Sequence, residues 1–332
     1  MSKQLKVFIG SILNESLGFS FGEPWRYDEN ASTCIVPIIR ISKENRKYLT
    51  LAEADKTKIQ DTGKIDRALI SNFEKMPVFL RMGELLKGDT QNRAVVLSRI
   101  IMPKHKAEVM VSCVHASQGI RRGAYFTPSG YSPLKDSHYG ISLHTTGKTS
   151  QDRSWSMDRY YQIMSSESLA QLENEGFDTR RFLGKRMNPD DLTASRDEYN
   201  KAVSKILKEV PLVECQVGMA LVDMDGFYFL DCFDLHESWE AVKEAIVGKE
   251  SLAITKRMKF GKSKMFEFKP ENSTVVTKEV LSRGYQERTQ HHEKRTETVT
   301  LDFGDCIGEA VSLDDEIIHL FITRKEQNIL FQ

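Results

Sequence analysis

The sequence predicts an α+β fold with a mostly antiparallel β-sheet core and several helices in the second half of the chain. Its first third contains short segments that are rich in Val and Ile and bounded by Pro, Gly or charged residues, a pattern typical of strands. Helical periodicity follows, and strand patterns return toward the C-terminus. Because strands and helices are grouped and do not alternate, the order favours an α+β domain over a doubly wound parallel sheet.

The first third is predicted to contain four strands and one short helix. The strands are CIVPIIRI (34–41), MPVFLRM (76–82), AVVLSRIIM (94–102) and AEVMVSCVHA (107–116). Thr50 has the side chain to cap a short helix through Ala52 to Asp55. Residues 127–156 are dense in Ser, Thr, Gly and Pro, which predicts a long loop.

The rest of the chain is predicted to hold helices followed by hairpins. Helical spacing predicts helices over 158–176, 192–211 and 237–247. Residues 214–234 read as a hairpin that turns at Asp225-Gly226, and residues 306–323 as a hairpin that turns at Asp314-Asp315. The charged run 286–297 is interpreted as an exposed strand face or a solvated loop.

Composition limits the location and partners of the protein. The 332 residues carry 47 Lys and Arg against 47 Asp and Glu, so no overall basic field favours nucleic acid as a partner. No run approaches the roughly 18 apolar residues of a membrane span, and we expect no membrane contact. Five scattered cysteines are odd in number, which is typical of a reducing compartment. We therefore expect a cytoplasmic protein.

The stretch GELLKGDTQNRAV, residues 83–95, places many hydrogen-bonding side chains between two apolar segments. In one interpretation it is a polar structural turn, in which Glu84 pairs with Arg93 or with nearby N–H groups. In the other, Glu84 is a catalytic or diol-binding carboxylate, and Gln91, Asn92 and Arg93 bind a ligand. Asp89, directly after a glycine, is expected to be used by the turn itself.

A second set of polar side chains lies in the C-terminal half. Gln216 and Gly218 stand on one predicted strand, and Asp231 and Asp234 lie across the same hairpin. His319 alternates with apolar residues in EIIHLFI, so it is either a satisfied buried histidine or a site residue. We include Gln216, Asp231 and His319 as candidate ligand-binding residues. No motif identifies a cofactor, and no residue set is assigned to a metal.

The pattern GEL-x-x-G-x-x-QNR followed by VSCVHA resembles the ADP-ribosylglycohydrolase- and rhodanese-phosphatase-associated protein family. The resemblance continues through YLTLAEA, QVGMALVDMDGFYFLDCFD and IIHLF, and so covers about Tyr48 to Phe321. It implies a single α+β domain over 48–323, preceded by a strand-rich extension over 1–47 and followed by a tail over 324–332. It also implies genomic neighbours that handle ADP-ribose and phosphate esters, an association that establishes no reaction.

Three function classes therefore stay open. The first is binding or processing of an ADP-ribose-like or nucleotide ligand in a polar cleft around residues 83–95. The second is a structural or self-assembling interaction protein, for example a homo-oligomer, in which this stretch is a polar latch. The third is local nucleic-acid binding, which the neutral net charge disfavours. Its candidate residues are Arg121, Arg122, Lys148 and the run 179–186, with Tyr125, Phe126 and Phe182 for stacking.

Overall fold

The computed structural model describes residues 2–27, 33–64, 66–88, 92–113, 122–131, 204–250 and 269–325. The chain divides into two compact units. The first contains Met1–Arg46, Glu209–Lys243 and Ala253–Gln332, and the second contains Lys47–Lys208 and Glu244–Leu252. This division differs from the single domain expected over 48–323, because the chain leaves the first unit after Arg46 and returns to it at Glu209.

The first unit is built on an antiparallel sheet, to which the described residues contribute eight strands. They are β1 (Phe19–Phe21), β2 (Thr33–Arg40), β12 (Gln216–Asp223), β13 (Gly226–Phe233), β14 (Gln286–Glu293), β15 (Thr296–Asp302), β16 (Cys306–Leu313) and β17 (Glu316–Arg324). Their order in the sheet is β1-β2-β12-β13-β17-β16-β15-β14. The two predicted hairpins are confirmed as β12–β13 and β16–β17, although the first turns at Met224-Asp225, one residue before the predicted pair.

Two helices pack on one face of this sheet. Helix α1 (Ser2–Leu13) and helix α5 (Asn272–Leu281) share a hydrophobic core with the strands. The α1 side chains in that core are Leu5, Phe8, Ile9 and Ile12. Their spacing of three and four residues is the helical pattern, whereas residues 1–47 were expected to be strand-rich. No helix among the described residues is both long and apolar enough to cross a bilayer.

The second unit contains a closed barrel, which has six strands within the described residues. They are β4 (Thr57–Asp61), β5 (Arg67–Asn72), β7 (Glu84–Gly88), β8 (Arg93–Val95), β10 (Lys106–Cys113) and β11 (Tyr125–Tyr131). They close in the order β10-β5-β4-β11-β7-β8. A smaller sheet joins β3 (Leu49–Thr50), β6 (Val78–Leu80) and β9 (Arg99–Ile101). The mostly antiparallel α+β architecture is thus confirmed.

Several predicted helices and strands have different boundaries in the structure. The strand expected over 94–102 is two strands, β8 and β9, which belong to different sheets. The helix expected over 237–247 is two short helices, α3 (His236–Glu240) and α4 (Lys243–Lys249). The short helix after Thr50 is confirmed as a 3-10 helix, Leu51–Glu53, where the Thr50 hydroxyl donates to Glu53 over 2.8 Å.

Other predictions fall partly outside the described residues. The loop expected over 127–156 begins inside β11, because residues 127–131 are strand, and residues 132–156 lie outside the described part. The helix expected over 158–176 also lies outside it. Of the helix expected over 192–211, the structure describes α2 (Ser204–Glu209). The first residues of the expected tail belong to the fold, since Arg324 ends β17 and forms an ion pair with Asp223.

Gly218 on β12 lies opposite Cys232 on β13, and there is no room for a side chain at this position. A Cβ atom at this position would meet the Asp231 carbonyl oxygen at 2.2 Å and the Cys232 Cα at 2.7 Å. Both are backbone atoms and cannot rotate away. We therefore expect Gly218→Ala to push the strands apart and lower the free energy of unfolding by roughly 2–3 kcal/mol in a urea titration. Gly284→Ala is the matched control, since a Cβ there would meet nothing within 4 Å. Equal unfolding midpoints would contradict the prediction.

Candidate functional site

Two charged residues of the 83–95 stretch, Glu84 and Arg93, point into the barrel. Leu86 on β7 lies opposite Arg93 on β8, and Leu86 and Val95 belong to the barrel core. Because strand side chains alternate between faces, Glu84 shares the inner face with Leu86, and Arg93 shares it with Val95. Glu84 is 2% exposed and Arg93 is 0% exposed. Two of the predicted cleft residues, Glu84 and Arg93, are therefore interior residues of the barrel.

Arg93 forms an ion pair with Asp61 across the barrel. Its guanidinium Nη2 lies 3.4 Å from Asp61 Oδ2, and both side chains are fully buried. The strands that carry them, β8 and β4, are three strands apart in either direction around the closed barrel. Asp61 Oδ1 also accepts the Gly63 N–H over 2.7 Å, which holds the carboxylate in place. The buried Asp61–Arg93 ion pair thus connects two strands on opposite sides of the barrel.

Glu84 makes a local contact instead of the expected pair with Arg93. Its Oε2 accepts the Arg81 N–H over 3.2 Å, and the Glu84 N–H donates to the Arg81 carbonyl over 3.2 Å. Burial raises the pKa of the Glu84 carboxyl to about 8, against the lowering effects of the Arg81 N–H and the Arg81 charge. Glu84 is therefore mostly protonated at neutral pH. The carboxylate on Arg93 is Asp61, which the sequence analysis did not single out.

Asn92 closes the connection between β7 and β8. It is 4% exposed, and its Oδ1 accepts the Gly88 N–H over 3.1 Å. Gln91 and Asp89 lie outside the described residues. Glu84 and Asn92 thus accept backbone N–H groups beside this connection, whereas Arg93 reaches across the barrel to Asp61.

Asp231 and His319 form a buried pair in the first unit. His319 Nε2 lies 2.8 Å from Asp231 Oδ1, and both side chains are fully buried. Asp231 faces Phe321 across β13 and β17, and Phe233 faces His319, so the two polar residues are diagonal neighbours. The imidazole packs against the Phe233 ring at a centroid distance of 4.7 Å. A carboxylate in this position fixes the orientation of the imidazole.

Gln216 does not donate to that pair. Its Nε2 donates to the Gly218 carbonyl over 2.9 Å, beside the register shift in the β12–β2 ladder. Its own backbone carbonyl lies 2.7 Å from His236 Nδ1. Gln216 therefore satisfies backbone groups at an irregular point of the sheet. The candidate residues form two buried sets, one held within each unit.

The sequence analysis did not single out several buried charged residues, among them Asp61 and Glu309. Asp61 shares its strand face with the core residue Ile59, so a charge at an inward position of an alternating strand was the available signal. Glu309 is fully buried on β16, opposite Phe321, and gave a similar signal within the apolar run of that strand.

The remaining candidates and surfaces add little to either set. Phe126, expected to stack on bases, is 5% exposed in the barrel core, while Arg121, Lys148, Phe182 and the run 179–186 lie outside the described residues. In the described part of the chain, no three His, Cys, Asp or Glu side chains are placed to hold a metal. An open depression of about 540 Å³ lies in the first unit, away from the candidate residues in sequence. It is lined by Lys6, Ser282, Arg283, Gly284, Tyr285 and Glu287.

The comparison with protein families returns one match. The family described as the ARG and Rhodanese-Phosphatase-superfamily-associated Protein domain matches residues 18–323. The chain belongs to this family. The match begins before β1, so it includes β1 and β2, which the expected 1–47 extension had set apart. No curated protein and no solved structure matches the chain. The family description states an association and no reaction.

The raised pKa of Glu84 predicts a pH-dependent stability. Below its ordinary value of 4.5 the carboxyl is protonated in the folded and unfolded states, and burial carries no ionisation cost. Between 4.5 and about 8 only the folded state keeps the proton, so stability falls as pH rises through this window. From about pH 5 to about pH 7 the wild type should lose roughly 2–3 kcal/mol more than Glu84→Gln. Urea titrations at each pH measure this difference, and parallel pH profiles for the two proteins would contradict it.

The cross-barrel ion pair predicts strong energetic coupling. Arg93→Met or Asp61→Asn leaves the other polar group buried without its partner and should cost about 3–5 kcal/mol of unfolding free energy. The double variant should lose clearly less than the sum of the two. Arg93→Lys keeps the charge and should lose less than Arg93→Met. Lys64→Met is the control, because its pair with Glu108 is exposed and should contribute under about 1 kcal/mol. Additive losses in the double variant would refute the coupling.

Proposed function

We propose that this chain is a non-catalytic binding protein of the structural or self-assembling kind, in which the 83–95 stretch is a polar latch. The observation that carries the proposal is that the side chains of Glu84, Asn92 and Arg93 are buried and engaged with partners inside the protein. A catalytic acid or base must come within about 3 Å of a substrate atom. A carboxyl that is 2% exposed and held by a backbone N–H offers no such approach.

The polar side chains of the latch hold strands of the barrel together. Arg93 ties β8 to the opposite strand β4, and Asn92 ties its own segment to the end of β7. Both strands of this connection are short, so their backbone hydrogen bonds alone fix them weakly. The polar side chains of the stretch thus supply the missing tertiary contacts. Their presence between two apolar segments is explained without a ligand.

A nucleotide or ADP-ribose-type ligand is the second candidate, and the association named in the family description supports it. Under this candidate Gln91, Asn92 and Arg93 bind the ligand and Glu84 acts on it. Arg93 would then exchange Asp61 for a phosphate, and the abandoned carboxylate would need a new partner inside the barrel. Breaking the Asp61–Arg93 pair costs free energy, and the ligand would have to bind strongly enough to offset that cost. This candidate is therefore the weaker of the two.

A thermal-shift panel separates the two candidates. Under the proposed function, ADP-ribose, NAD and AMP leave the melting temperature of the wild type unchanged, since no ligand binds the folded state selectively. Arg93→Lys then lowers the melting temperature by the same amount with and without nucleotide. Lys75→Met removes an exposed cation of the same unit and serves as the control. A ligand-dependent rise that is lost in Arg93→Lys and kept in Lys75→Met would establish the nucleotide site instead.

A further inference from the structure

The net neutrality of the chain conceals a charge asymmetry. Residues 47–131 contain 14 Lys and Arg against 8 Asp and Glu, a net charge of +6, although the whole chain carries 47 of each. In the described part of this segment two basic residues, Arg81 and Arg93, and two acidic residues, Asp61 and Glu84, are buried. Without them the segment has 12 Lys and Arg against 6 Asp and Glu. The positive excess is therefore carried by the other residues of the segment.

Lysines line up on the outer side of the barrel. Lys58 on β4 and Lys106 on β10 both lie opposite Ser71 on β5, so they flank it across three adjacent strands. Both side chains are exposed. Lys104 lies at the same end, since its N–H donates to the Asn72 carbonyl over 2.9 Å. Among the described residues, none of these three lysines has a carboxylate within ion-pair distance. Their charge is available to an anionic partner.

Two exposed aromatic rings bracket the outer side of β4. Phe73, directly after β5, is 52% exposed, and Lys58 Nζ lies 5.7 Å from the centre of its ring. Tyr125 on β11 is 55% exposed and lies opposite Gln60. Lys58 and Gln60 are two residues apart and therefore share the outer face of β4. The cation and the amide on β4 thus each have an exposed aromatic ring from a neighbouring segment beside them, Phe73 next to Lys58 and Tyr125 next to Gln60.

We propose that this β4 face, defined by Phe73, Lys58, Gln60 and Tyr125 with Lys106 beside it, binds single-stranded nucleic acid. Lysine ammonium groups bind backbone phosphates, and unstacked bases stack on exposed aromatic rings. A duplex keeps its base faces stacked and so cannot use the rings. An acidic peptide would use the lysines alone. The proposal rests on the proposed binding role, but it uses the outside of the barrel and leaves the polar latch intact.

Fluorescence anisotropy with labelled oligo(U) and oligo(dT) of about 12 nucleotides tests the proposal and separates RNA from DNA. Both single strands should bind more tightly than a duplex of the same length. With about four phosphate contacts, affinity should fall about 50-fold from about 50 to about 200 mM salt. The pair Phe73→Ala and Tyr125→Ala should weaken binding at least about tenfold. The pair Lys58→Ala and Lys106→Ala should weaken it and lower the salt slope by about 1.4.

Matched surface variants of the first unit provide the controls. Leu212→Ala removes an exposed apolar side chain, and the pair Lys3→Ala and Lys6→Ala removes two exposed cations. These variants should bind as the wild type does, and so should Arg93→Lys, which separates this test from that of the polar latch. The proposal is overturned if no oligonucleotide binds at low salt, or if the duplex binds equally well. It is also overturned if the aromatic variants bind normally while poly-glutamate competes, an outcome that would identify a site for acidic peptides.

Discussion

The charge pair between Asp61 and Arg93 is the constraint on which the second unit depends. The interior of so small a barrel has room only for side chains, so two ions placed there must neutralise each other. The pair also fixes the register of β8, which has only three residues. A slip by one residue would turn Arg93 outward and bring Ala94 into the core. Burying the two charges costs free energy, but their pairing fixes the position of β8. The contacts of Glu84 and Asn92 depend on that position.

Much of the fold could be predicted because its signals are local. The β12–β13 and β16–β17 hairpins have turn residues between apolar strands, and the strand predicted over 34–41 begins with six apolar residues. The misses have equally physical causes. Strand β4 reads Thr-Lys-Ile-Gln-Asp, and its inward Asp61 hides the apolar period that would have identified it. The apolar residues of helix α1 do recur at helical spacing, but its Val-Phe-Ile run is also typical of a strand, which favoured the wrong prediction.

The candidate residues could be chosen from sequence, but their partners could not. Arg93 and Asp61 are 32 positions apart, and only closure of the barrel brings them together. Asp231 and His319 are 88 positions apart and meet only because β13 and β17 are neighbours in the sheet. The same limit applies to charge. The net charge of the whole chain is the sum of the net charges of the two units. The charge of either unit can be counted only when the unit boundaries are known.

The interrupted path of the chain has a consequence for synthesis on the ribosome. All six barrel strands lie within residues 57–131, so the barrel can close soon after that stretch emerges. Strand β2 leaves the ribosome earlier, yet its ladder partner β12 begins only at Gln216. During this interval the apolar run Cys34 to Ile39 has only the short strand β1 and the Trp25 bridge on one edge. Its other edge stays unpaired until a long loop closes and the β2–β12 ladder forms. The nascent chain is thus exposed to mispairing at its N-terminal segment, and chaperones that hold extended apolar segments would act there.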